Sequence, residues 1–193
     1  ELMKQYGTYF VPTITAGKEV AEKAKIKGYY NELVVPKALA IGPQIQATFS
    51  KAYAKGVKIA FGSDAGVFSH GKNAKEFGYM HEVGMPVMEC LQSATITNAD
   101  ILGYANELGQ ISEGFIADIV ATKNNPIDDV STLENVIFVM KNGVVYKNWF
   151  YLFLKLINRI RIIPVVTAKS AILNIPVLNI PPKSINKKSV TDP

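Results

Sequence analysis

The chain has 193 residues, which gives room for one domain, and its 48% hydrophobic and 10% aromatic content is ordinary for a globular protein. Its formal net charge of +5 is unevenly distributed, because residues 1–148 carry 14 Lys and Arg against 15 Asp and Glu, whereas residues 149–193 carry 7 against 1. The basic charge therefore belongs to the tail, and composition gives no reason to expect a nucleic-acid partner for the rest of the chain.

Helical and strand patterns alternate over the first 61 residues. The pattern predicts a helix at 1–6, a strand at 8–14, a solvent-facing helix at 16–27, a helix at 44–55 and a strand at 57–61. The last of these is a short apolar run after Gly56, which is typical of a buried parallel strand. Helices that alternate with strands predict an α/β fold with a parallel sheet.

The pattern changes in the second half of the chain. Asn73 is a candidate cap for a helix that ends at Val83, Pro86 begins a helix at 87–95, and a short helical turn follows at 98–102. Strands are predicted at 118–122, 136–140 and 144–146. Asn142-Gly143 separates the last two of these strands and predicts a tight hairpin.

Residues 149–193 differ in composition from everything before them. Ile, Asn, Lys and Pro dominate, and Pro181-Pro182 adjoins a Lys-rich end. We expect an irregular, poorly ordered tail; the alternative is a basic segment that binds an anionic surface. The longest apolar stretch, 149–166, contains Lys155, Arg159 and Arg161, so no transmembrane segment is predicted.

Asp64 is the candidate catalytic residue. It lies in Gly62-Ser63-Asp64-Ala65-Gly66, directly after the second predicted strand. The carboxyl ends of parallel strands are where α/β folds place their chemistry. The alternative is a helix cap or a turn carboxylate, because Asp after a strand often binds nearby backbone amides.

Two other reactive residues have simpler interpretations. Cys90 is the one cysteine, so it cannot form a disulfide within the chain, and its neighbours are typical of an apolar helix face. His81, on a predicted helix, is interpreted as a packed or surface residue rather than a metal ligand.

Several segments, taken in order, resemble the metal-dependent amidohydrolases, in particular the imidazolonepropionase-like or Xaa-Pro dipeptidase-like branch. The resemblance spans roughly residues 1–147, and no single segment carries it alone. The segments are Phe61-Gly62-Ser63-Asp64-Ala65-Gly66 with His70-Gly71-Lys72-Asn73, then Ala94-Thr95-Ile96-Thr97-Asn98-Ala99, and finally Glu113-Gly114-Phe115-Ile116-Ala117-Asp118-Ile119-Val120.

The resemblance implies the C-terminal part of a (β/α)8 TIM barrel. Residues 9–13 and 57–62 would be barrel strands seven and eight, and 117–147 the returning strands of a small β-domain. The expected organisation is a partial hydrolase barrel at 1–108, the small composite β-domain at 109–148 and a non-family tail at 149–193.

The resemblance also implies roles for three residues. Asp64 would bind a divalent metal, zinc in most members, and exchange a proton with the hydrolytic water. His70 and Asn73 would contact substrate from the loop over the site; the alternatives are a solvated histidine and a helix cap. The family's other metal ligands come from His-x-His and later histidines that this chain lacks, so we expect Asp64 not to hold zinc alone.

We therefore interpret the chain as the C-terminal portion of an amidohydrolase that cleaves an amide C–N bond in a dipeptide or other small substrate. It would need the missing N-terminal barrel portion, and the complete enzyme could form a homo-oligomer. The alternative function is a non-catalytic binding or assembly module with a membrane- or partner-binding tail. Location stays open with the cytoplasm favoured, because any signal peptide would lie upstream of Glu1.

Overall fold

The computed structural model describes residues 1–148, and the predicted tail at 149–193 lies outside the described residues. The elements are α1 (Leu2–Gln5), β1 (Tyr9–Phe10), α2 (Ile14–Ala24), α3 (Val35–Ala54), β2 (Lys58–Ile59), α4 (Lys75–Glu82), α5 (Val87–Ala94), α6 (Ile96–Ile101), β3 (Ile119–Thr122), a 3-10 helix (Val130–Glu134), β4 (Val136–Lys141) and β5 (Val144–Asn148). In this part of the chain, none of the helices has the length and apolarity needed to cross a membrane.

The strands β1 and β2 form a parallel pair, with α2 and α3 in the connection between them. Tyr9 lies opposite Lys58 and Phe10 opposite Ile59. The amide of Ala60 extends the pairing by donating to the carbonyl of Phe10 over 3.1 Å. The predicted α/β character is confirmed, although both strands are shorter than their sequence patterns.

The strand predicted at 8–14 ends early because of its own residues. Pro12 has no amide donor for a sheet, and Thr13 has a left-handed backbone with φ of +47°. Ile14 is therefore the first residue of α2, and the helix predicted at 16–27 begins two residues earlier and ends at Ala24. This helix was predicted to face solvent, but its first turn does not, because Thr15 and both of its neighbours are buried.

The helix predicted at 44–55 is in fact twenty residues long and begins at Val35. Pro43 lies inside the helix rather than ending it. Its neighbour Gly42 packs closely on α2, where an added Cβ would lie 3.2 Å from the carbonyl oxygen of Gly17. Such close packing stabilises a helix through tertiary contacts that outweigh local propensity.

The hydrophobic core lies among α2, α3, β2, α4 and α5. Its buried side chains are Ile14, Phe49, Ile59, Met80, Met85 and Cys90. The apolar helix-face position predicted for Cys90 is confirmed, since its side chain is fully buried. Burial raises the pKa of this thiol to about 12, which keeps it protonated and unreactive at neutral pH.

A second, antiparallel sheet has the strand order β3-β4-β5. The predicted hairpin is confirmed: Asn142 and Gly143 both have positive φ, +48° and +75°, as a two-residue hairpin turn requires. The Asp118 carboxylate secures this turn by accepting a hydrogen bond from the Asn142 amide over 2.6 Å. The domain boundaries at 108 and 148 stay predictions.

Candidate active site

Asp64 lies beyond the carboxyl end of β2, in a loop of residues 62–74 that we call the Asp64 loop. Its backbone is left-handed, with φ of +50°, and its carbonyl accepts a hydrogen bond from the Gly66 amide over 2.7 Å. The side chain is exposed, and its carboxylate has no hydrogen bond or ion pair with any residue in 1–148. The turn is closed by a backbone hydrogen bond. The Asp64 carboxylate is therefore neither a helix cap nor a turn acceptor, which were the alternatives to a catalytic role.

Gly62 lets the Asp64 loop leave β2 directly beside the end of β1. A Cβ added at Gly62 would lie 2.5 Å from Cγ1 of Val11, which is far inside van der Waals contact. A side chain at this position would force the Val11 side chain to move. The absence of a side chain at Gly62 therefore leaves room for Val11 beside the start of the Asp64 loop.

The structure places His70 and Asn73 in the same loop, but in different surroundings. His70 is exposed, whereas Asn73 is half-buried. The side-chain amide of Asn73 donates to Oγ of Ser63 over 2.8 Å, and its side-chain oxygen accepts from the backbone amide of Gly71 over 3.2 Å. Asn73 does not cap α4 through its side chain, so that alternative is wrong; it joins the two ends of the Asp64 loop instead.

The middle of the Asp64 loop is also anchored. Phe68 is buried, with 7% of its surface exposed. The ammonium of Lys23, on α2, donates to the backbone carbonyl of Val67. The loop is thus tied to α2 at its centre and closed on itself at its base, which leaves Asp64 and His70 facing solvent.

Glu76 is the residue near the site that sequence reasoning missed. It lies in the first turn of α4, has no exposed surface, and accepts three hydrogen bonds from the start of α2. The Ile14 amide donates to Oε1 over 2.8 Å, while the amide and hydroxyl of Thr15 donate to Oε2 over 2.7 and 2.6 Å. Burial raises the pKa of this carboxyl, and the hydrogen bonds from Thr15 and Ile14 oppose that shift. An acidic first-turn residue was visible in the sequence, but its partners on a distant helix were not.

The described residues do not form a metal-binding cluster by themselves. Within residues 1–148 no group of three or more His, Cys, Asp and Glu side chains could hold a metal ion. His81 lies on the surface, where Nδ1 is 3.0 Å from the backbone oxygen of Met85. Asp64 is therefore a single candidate ligand.

A cavity of about 550 Å³ opens at the opposite ends of the strands. Tyr9 and Lys58, the first residues of β1 and β2, line it together with two hydrogen-bonded tyrosine–carboxylate pairs. Tyr9 donates to Asp100 over 2.9 Å and Tyr53 to Glu89 over 2.8 Å. The hydrogen bond to Asp100 raises the pKa of Tyr9, and burial raises that of Tyr53. Because Asp64 lies past the carboxyl ends, this cavity is separate from the candidate site.

Comparison with known proteins gives consistent matches. The model of the Amidohydrolase family matches residues 1–146. Ochratoxinase from Aspergillus niger is 30% identical over 152 residues, which cover 76% of this chain and 31% of that protein. A solved Xaa-Pro dipeptidase with methionine bound in its active site is 56% identical, with a TM-score of 0.73 over 76% of this chain and 36% of that one. A prolidase complexed with N-methylphosphonate-L-proline is 29% identical, with a TM-score of 0.67 over 76% and 36% of the two chains.

The chain has an α/β fold that matches these solved structures. The chain belongs to the amidohydrolase family. It spans about a third of the length of the relatives it matches, at 31% and 36%.

Proposed function

We propose that the chain supplies the C-terminal part of the catalytic domain of a metal-dependent amidohydrolase. The reaction would be hydrolysis of an amide C–N bond in a dipeptide or similar small molecule. The observation that carries this proposal is the exposed Asp64 carboxylate, free of partners among residues 1–148 and located at the carboxyl end of β2. The 56% identity to a Xaa-Pro dipeptidase supports a dipeptide substrate.

In the complete protein, β1 and β2 would be the seventh and eighth strands of a (β/α)8 barrel. Their parallel pairing and the helices between them support this assignment. The antiparallel strands β3–β5, within residues 109–148, would belong to the small β-domain. Homo-oligomer formation and a cytoplasmic location stay predictions.

The residues of this chain fit a shared metal centre rather than a complete one. Zinc takes three protein ligands even at an open catalytic site, and residues 1–148 offer no such group. Asp64 would supply one ligand, and the others would come from polypeptide outside this chain. A zinc ion held in that way would supply a water molecule that ionises near neutral pH. The Asp64 carboxylate would take a proton from the water and pass it to the leaving amine.

The remaining loop residues would contact the substrate. His70 is exposed in the Asp64 loop and can donate or accept a hydrogen bond there. Asn73 uses one donor on Ser63 and one acceptor on Gly71. Its second amide hydrogen and second lone pair therefore remain for a substrate.

The test is a chimera in which residues 1–148 replace the matching part of the 56% identical Xaa-Pro dipeptidase. We expect the zinc-loaded chimera to hydrolyse Xaa-Pro dipeptides, and Asp64→Asn to lower kcat by about 10²–10⁴-fold because proton transfer is lost. Asp128→Asn, at an exposed aspartate between β3 and the 3-10 helix, is the matched control and should retain activity. An Asp64→Asn chimera with unchanged turnover would contradict the proposal.

A further inference from the structure

We infer that Glu76 is a positioning residue, which fixes the Asp64 loop by fastening α4 to the start of α2, the helix that follows β1. The inference rests on the proposed function in that Asp64 is taken to be the reactive group. Glu76 itself does not touch Asp64. It acts through the start of α2 and through the base of the loop.

The Glu76 carboxylate is the N-terminal cap of a helix other than its own. The first amides of α2, those of Ile14 and Thr15, have no partner within their helix, and the Thr13 side chain does not cap them. Glu76 satisfies both amides from α4 and accepts the Thr15 hydroxyl as well. The positive ends of two helix dipoles, α2 and its own α4, also favour the negative charge. These contacts hold the first turn of α4 against the first turn of α2.

Phe77, the next residue on α4, joins the helix to the segment just after β2. Phe77 stacks on Phe61, with ring centroids 4.3 Å apart and planes inclined by 26°. Phe61 immediately precedes Gly62, where the Asp64 loop begins. Adjacent residues Glu76 and Phe77 therefore join α4 to the segments that follow the two parallel strands.

The Asp64 loop is built between these fixed points. Its C-terminal end leads into α4, and its base is closed by the hydrogen bond from Asn73 to Ser63, next to Asp64. Its centre is held by Lys23 on α2. A shift of α4 relative to α2 would strain both ties at once, so the contact between Glu76 and α2 decides where the loop lies.

A second carboxylate on α4 provides an internal comparison. Glu82 forms an ion pair with Lys18 on α2 over 2.8 Å, and its side chain is 53% exposed. It bridges the same two helices as Glu76, but at the surface and away from the first turns. Exposed ion pairs contribute little to stability, so Glu82 is the matched control.

The experiment measures amide hydrogen exchange by NMR in the 193-residue chain, with the Cys90 amide on α5 as the reference for global opening. Glu76→Gln keeps the shape of the side chain, but it places an NH2 group against the donors of Ile14 and Thr15, which need an acceptor. We expect exchange at Ile14, Thr15 and Gly71 to rise about tenfold relative to Cys90, and by less than about twofold in Glu82→Gln. An equal rise at Cys90, or no rise at Gly71, would overturn the inference.

A milder variant keeps the test decisive if Glu76→Gln fails to fold. Thr15→Ala removes the γ-methyl group and the hydroxyl that donates to Oε2 over 2.6 Å, and it leaves both backbone donors in place. We expect about threefold faster exchange at Gly71 with Cys90 unchanged, and an unchanged Gly71 would refute the positioning role. Exchange requires neither metal nor substrate. Unchanged turnover in the Asp64→Asn chimera would therefore refute the proposed function while leaving the exchange result intact.

Discussion

The region from β1 to α6 and the antiparallel sheet β3–β5 are built on different principles. The first contains the whole buried cluster around Ile14, Phe49 and Met80. In the second, no strand residue is fully buried, and β5 is exposed at all of its five positions. The first region therefore depends on a core of its own, whereas the sheet depends on hydrogen bonds and turn chemistry.

The difference explains where the candidate site lies. A reactive group needs rigid support, and the Asp64 loop is held by Lys23 on α2, by its own Asn73–Ser63 hydrogen bond and by its connection to α4. The sheet is joined to that region where the 3-10 helix packs against α4 with Thr132 buried. Measurements of stability and local exchange test whether the two regions differ in this way.

The largest effect should come from the core of the first region. Phe49 on α3 is fully buried and stacks on Tyr53, so Phe49→Ala should lower the free energy of unfolding by about 3–5 kcal/mol. Tyr146→Ala on β5, at a position 72% exposed, should change it by less than about 0.5 kcal/mol. Urea unfolding measures both, and equal losses would mean that the two regions do not differ as described.

The next effect should come from the junction of the two parallel strands. Gly62→Ala places a methyl group against Val11 and should cost about 1–3 kcal/mol through overpacking. Gly66→Ala, where an added Cβ has no neighbour within 4 Å, is the control. The double change Gly62→Ala with Val11→Ala should recover part of the loss in urea unfolding. No recovery would place the strain elsewhere.

A smaller and local effect is expected in the sheet. Gly143→Ala forces a side chain into a left-handed conformation, with φ of +75°, and should cost about 1 kcal/mol. Amide exchange should accelerate in β4 and β5 but not in α3. Asn142→Gly is the control, because glycine adopts the turn conformation easily and exchange should stay nearly unchanged. Faster exchange in α3 of the Gly143→Ala variant would argue against two independently supported regions.

The smallest effect concerns the charge that secures the hairpin. The hydrogen bond from the backbone amide of Asn142 holds the pKa of the Asp118 carboxyl below its ordinary value, and the hydrogen bond from Lys141 lowers it further. Because the folded pKa is depressed, the stabilisation is present above the unfolded pKa and is lost as pH falls through the folded one. The NMR shift of the Asn142 amide should titrate with a midpoint below that of an unperturbed aspartate and should stay flat in Asp118→Asn. A midpoint at the ordinary value would contradict the contact.

Local chemistry in the sequence predicted part of the fold well. Asn142-Gly143 gave the hairpin because its conformational demand is contained within two residues. Asp64 could be placed after β2 because a short apolar run before it marked the strand. The family resemblance supported the second assignment, since one of its segments contains Asp64.

Distant contacts could not be predicted in the same way. The start of α3 was missed because a proline such as Pro43 usually ends a helix. In the structure, packing of Gly42 on α2 keeps the helix continuous through this position. Glu76 was missed because its partners lie 61 and 62 positions away along the chain. The helix cap considered as the alternative for Asn73 was wrong, because the bond of its side chain to Ser63 depends on the path of the whole loop.

The most direct test of the central claim is to locate the metal. Crystals of the zinc-loaded chimera, measured at the zinc absorption edge, should show an anomalous peak about 2.0–2.2 Å from a carboxylate oxygen of Asp64. A zinc peak remote from Asp64, with that carboxylate bound only to protein groups, would contradict the account.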